Sequence, residues 1–126
     1  MLEPKAIFNK FQFVQEIAFK NKDIHRHDLG IERFGYILSS HVVARTHCEY
    51  VIQYAKENDQ NLSFEYSLRP LTDVEIQERL SYIALHQQEF MPFIVALNNC
   101  EALKPYHIEE ANCVKEYRSQ DTRQTA

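Results

Sequence analysis

The chain has 126 residues, a formal net charge of −4 from 14 basic and 18 acidic side chains, 44% hydrophobic residues and only two glycines. Such a balance excludes a disordered chain and gives no electropositive field to draw in nucleic acid. No apolar run reaches the roughly 20 residues that a bilayer-spanning helix requires. The length suits one domain, and few glycines and four prolines disfavour the many tight turns of a sandwich or barrel. The expected fold class is mainly α: an antiparallel bundle of about four helices over residues 1–118, with one isolated strand or extended segment near 62–68 and a disordered polar tail at 119–126.

Pro4 suits a first helical position, and Ile7, Phe11, Val14 and Ala18 then recur at steps of four, three and four. That spacing predicts a helix over 4–21. A polar break, NKDIHRHDLG, follows, and Asp28 offers a cap for a long second helix from about 30 to 57. Along it Phe34, Leu38, His41, Cys48, Ile52 and Ala55 fall near one stripe.

Residues 59–73, DQNLSFEYSLRPLTD, change period. Leu62, Phe64, Tyr66 and Leu68 alternate with Ser63, Glu65, Ser67 and Arg69, the pattern of a half-buried strand, and Pro70 closes it. Thr72 then opens a third helix with Glu75 at the capping-box position, and Ile76, Leu80, Ile83, Phe90, Ile94 and Leu97 form its inner face. Pro92 lacks the N–H that the helix needs, so a bend or restart is expected around 88–92. Pro105 marks the start of a short fourth helix.

A lone strand leaves its backbone donors and acceptors unpaired, and each one buried without a partner costs about 1–3 kcal/mol. The other polar segments of the chain are poor strand candidates. Three arrangements therefore remain: an irregular segment packed on the helices, a homodimer in which two copies of 62–68 pair antiparallel, or an edge that accepts a partner's strand. The second and third make Leu62, Phe64, Tyr66 and Leu68 the candidate partner-binding residues. Seven tyrosines and eight phenylalanines exceed what one small helical core takes up, which places Phe64 and Tyr66 in an interface.

Candidate chemistry is sparse. Arg79 and His86, in RLSYIALH, resemble the Arg-x4–6-His motif of the HEPN domain superfamily. That resemblance implies an all-helical dimer in which the two residues serve RNA cleavage; the competing reading is a solvated flank carrying Arg79, Tyr82, His86 and Glu89. Three His–carboxylate pairs, His25 with Asp28, His86 with Glu89 and His107 with Glu110, have a three-residue step that offers two ligands to a metal on a helix face. The order is the reverse of helical di-iron sites and supporting carboxylates are lacking. His41 on an apolar stripe reads as a core histidine, and Cys48 beside it as packing. Glycine-rich phosphate loops, nucleophile elbows and HExxH helices are missing from the sequence.

Cys48, Cys100 and Cys113 form no CxxC spacing, and the N-terminal stretch resembles no export signal, so a cytoplasmic setting with reduced thiols is expected. The function expected is that of a small interaction or regulatory protein, of adaptor or inhibitor type, that binds another protein as a homodimer without cofactor or catalytic residue. The alternatives are a HEPN-like ribonuclease using Arg79 and His86, and a metal-binding or small-molecule-sensing helical protein.

Overall fold

The computed structural model describes residues 6–17, 31–43, 47–56 and 61–125, and it is a mixed α/β structure. Strands β1 (Phe13–Glu16), β2 (Phe34–Val43), β3 (His47–Tyr54) and β4 (Asn61–Phe64), joined by a three-residue edge strand β5 (Leu68–Pro70), build one antiparallel sheet in the order β4-β3-β2-β1-β5. Helices α1 (Asp73–Leu85), α2 (Met91–Asn99) and α3 (Asn112–Thr125) follow. The α3 helix runs to Thr125, over most of the stretch read from the sequence as a tail.

This overturns the mainly α bundle with a single isolated strand. Where a helix over 4–21 was expected, Phe13–Glu16 is extended and pairs on both sides, with β2 and with β5. Of the span 30–57 expected as one helix, the described residues form a 3-10 turn at Ile31–Arg33 and the antiparallel pair β2 and β3. Its residues explain why. Cys48, Tyr50, Ile52 and Tyr54 alternate with His47, Glu49, Val51 and Gln53, and β-branched and aromatic side chains fit a pleated surface better than a helix interior. The register slips between Ile37 and Ser39, so Leu38 has no cross-strand partner, as in a β-bulge. That extra residue blurs the period of two and lets Phe34, Leu38 and His41 mimic a helical stripe.

The 62–68 segment is not isolated. Its first half is β4, paired to β3 with Val51 opposite Leu62 and Glu49 opposite Phe64; Glu65–Ser67 make one 3-10 turn, and Leu68 opens β5 against Glu16. Each of these strands pairs within the chain on one side, β4 and β5 forming the two edges of the sheet, and the Ile17 N–H adds a bond to the Ser67 carbonyl at 2.6 Å.

Both faces of the sheet are apolar. Phe13, Phe34 and Tyr36 look towards the helices, where Ile76, Leu80 and Ile83 of α1, Phe93, Ile94 and Leu97 of α2 and Val114 of α3 meet them. The opposite face gathers Val14, Ile37, Cys48, Tyr50, Ile52, Tyr54 and Leu68 under Phe8. Each such side chain, fully buried, contributes about 1.5–3 kcal/mol. Two cores rather than one accommodate the aromatic residues that seemed too many for a helical bundle.

Local helix signals held. The Thr72 hydroxyl accepts from the Glu75 N–H while the Glu75 carboxylate accepts from the Thr72 N–H, completing the capping box. The third expected helix breaks at the anticipated place: α1 ends at Leu85, a 3-10 turn covers Gln87–Glu89, and α2 restarts at Met91 with Pro92 in its first turn. Pro105, expected to open the fourth helix, instead lies within a 3-10 segment, Glu101–Tyr106, and α3 starts only at Asn112.

Candidate functional site

Of the four residues expected to bind a partner, Leu68 is buried in the core on the far face of the sheet. Leu62 and Phe64 lie on β4 and Tyr66 in the following 3-10 turn, but their side chains lie outside the described part of the structure. The Arg79–His86 pair is divided by environment. Arg79, expected on a solvated flank, is 5% exposed; its Nε donates to Gln15 Oε1 at 3.0 Å and one terminal nitrogen to the Glu75 carbonyl at 3.1 Å. His86 stays exposed at the C-terminal end of α1, stacked on Tyr82 with ring centroids 4.1 Å apart and bonded through Nδ1 to the Tyr82 carbonyl. The all-helical outline implied by the HEPN resemblance is contradicted by the sheet.

The metal-ligand pairs are likewise engaged elsewhere. His107 Nε2 donates to the Cys100 carbonyl, Glu110 is held by Arg118 and Asn98, and Glu89 lies 3.6 Å from Lys56. His25 and Asp28 lie outside the described residues. Among the described residues no three His, Cys, Asp or Glu side chains gather where a metal ion could be held. His41, expected in a core, is exposed on β2 beside Ser39. Cys48 does pack inside, and burial pushes its thiol pKa up, away from nucleophilic use.

A dense polar constellation sits on the far face of the sheet. Glu16 accepts hydrogen bonds from Arg33, from the Tyr54 hydroxyl at 2.8 Å and from Ser63 at 3.2 Å, and the Arg33 guanidinium lies 4.1 Å from the centre of the Tyr54 ring. Nearby, the Tyr50 hydroxyl donates to Glu65 and accepts from the N–H groups of Ile7 and Phe8. Burial alone would raise the Glu16 pKa, yet the Arg33, Tyr54 and Ser63 bonds bring it below the ordinary carboxylate value. A carboxylate held ionised by three donors is a poor proton acceptor, and Tyr50 and Tyr54 are fully buried. This constellation ties β1, β3 and β4 together.

The α1 helix presents a different surface. Ile76, Arg79, Leu80 and Ile83 face inward, which turns positions 74, 78, 81 and 85 directly outward. Two of these outward positions carry large apolar side chains: Val74 is 68% exposed and Leu85 82%, with Tyr82 at 38% on the flank. Together they line a shallow groove of about 730 Å³ whose other described lining residues include the carboxylates Asp73 and Glu78. A second, more polar depression of about 420 Å³ lies between α1 and the Pro105–Glu109 segment and shares Gln77 and Ser81 with the first. Sequence reasoning attended to the inner face and passed over this one. Its signal was present: Val74 and Leu85 fall off the inner stripe, three turns apart on one side.

No family model, no curated protein and no solved structure matches this chain. Among the described residues no helix is long and apolar enough to cross a membrane.

Proposed function

We propose that this protein is a small partner-binding, regulatory protein whose docking surface is the outward face of α1. The observation that carries the reading is the exposure of Val74, Tyr82 and Leu85 along one groove, on a helix already anchored by a separate buried stripe. Apolar side chains held in water on a rigid element cost nothing in folding but gain burial when a second surface covers them. An adaptor or inhibitor of this kind acts by occluding or bridging the surface that it covers. This reading does not call on the sheet edges β4 and β5, each of which pairs within the chain on one side.

A photo-crosslinking amino acid at Gln77 tests this reading in native lysate. It should give a discrete protein adduct that is lost when Val74 and Leu85 are both replaced by Asp. An adduct unaffected by that double substitution, or no adduct at all, overturns the assignment.

A further inference from the structure

We infer that the α1 face is built for a basic amphipathic helix of another protein, an inference that rests on the docking reading above and names the partner's chemistry. The charge distribution carries the argument. Asp73 and Glu78 border the groove, and neither is in an ion pair among the described residues. The cations close in sequence are committed elsewhere: Arg69 lies 2.9 Å from Glu75, and Arg79 is turned inward to Gln15. No Lys or Arg is among the described lining residues, whose charged groups are the two carboxylates.

The same fact disfavours a second copy of this chain. Two α1 faces packed together would bring Asp73 and Glu78 of each copy into one acidic field, and no basic residue among the described lining residues offsets it. A helix flanked by Lys or Arg meets both requirements, apolar contacts along the stripe and cations beside it. Val74 and Leu85 are eleven residues apart, about 16 Å along the axis, which a partner helix matches with apolar residues recurring at steps of three and four over three turns. Ridge-into-groove packing supplies the fit between two such surfaces.

The test uses three designed amphipathic peptides of about 18 residues, long enough to span the stripe, with one leucine stripe and flanks of lysine, glutamine or glutamate. Binding to the full chain is followed by the methyl resonances of Val74 and Leu85 and by calorimetry. The lysine peptide should bind about tenfold tighter than the glutamine peptide at low salt and lose that advantage as salt rises. Asp73→Asn combined with Glu78→Lys should move the preference to the glutamate peptide. Equal affinity for all three peptides overturns the charge inference while leaving the docking reading intact. Methyl signals unmoved by every peptide at millimolar concentration overturn both. Self-association that disappears in Leu85→Asp identifies a second copy as the occupant and overturns the inference.

Discussion

The Nε–H of Arg79 donates to the side-chain oxygen of Gln15 across 3.0 Å, joining the middle of α1 to β1 where the two residues are 5% and 7% exposed. A buried guanidinium needs such partners, because its charge is costly to remove from water. Burial pulls the Arg79 pKa down from its ordinary value. Replacing Arg79 by Met removes the donor that Gln15 faces and should destabilise the protein by about 2 kcal/mol. A double-mutant cycle with Gln15→Leu should show coupling of about 1 kcal/mol, and His86→Ala should stay within about 0.5 kcal/mol of wild type in urea denaturation. Coupling near zero would contradict the helix–sheet tie.

Gly35 lies opposite Tyr54 in the hairpin, and a Cβ placed there would come within 2.1 Å of the Gln53 carbonyl oxygen. Backbone, not a movable side chain, occupies that space. Gly35→Ala therefore forces β2 and β3 apart and should cost about 3 kcal/mol, or prevent folding, as read from the thermal midpoint and far-ultraviolet circular dichroism. A variant as stable as wild type would show that the strands approach less closely.

Glu16 has a folded-state pKa below its ordinary value of 4.5. The folded form binds fewer protons than the unfolded chain near that value, so the contribution is present above it and is lost as pH falls through the folded pKa. Glu110, held down chiefly by the Arg118 bond, acts in the same direction. Wild-type stability should fall as pH drops below about 5, whereas Glu16→Gln should begin about 2 kcal/mol less stable at pH 7 and show a shallower acid slope. Parallel slopes for the two proteins would remove Glu16 from the acid response.

The alkaline side has the opposite sign. Burial raises the pKa of the Tyr36, Tyr50 and Tyr54 hydroxyls, that of Tyr50 to about 12 from an ordinary 10.0. These groups stabilise the fold below pH 10 and cease to do so as pH climbs towards the folded value. Phenolate absorbance at 295 nm should therefore rise in two stages, the buried tyrosines ionising only together with unfolding. A single transition centred at the ordinary tyrosine value would contradict their burial.

Val74→Asp and Leu85→Asp place charge where the chain already meets solvent. Each should leave the stability within about 0.5 kcal/mol of wild type in denaturation, which separates the proposed docking role of this face from any part in folding. A large loss of stability in either variant would show that these side chains belong to the core.

Local features were legible because their cause is local. The Thr72–Glu75 capping box and the break before Pro92 depend on groups within four residues of one another, and both stand where the sequence puts them. The alternation through Cys48, Tyr50, Ile52 and Tyr54 was equally visible, but it overlapped a plausible helical stripe. Nothing near those residues decides between the two periods; the choice depends on partners far along the chain. Tyr54 bonds to Ser63 and Glu16, Leu68 stands opposite Glu16, and Phe8 closes the second apolar face. By itself the sequence determined the Thr72 cap, the helix restart and the inner faces of α1 and α2. Only the tertiary structure decided that five extended segments pair in one sheet, because a strand's hydrogen bonds and both of its faces are satisfied by residues dozens of positions away. The outward face of α1 became recognisable in the same way, once the sheet had taken the other side.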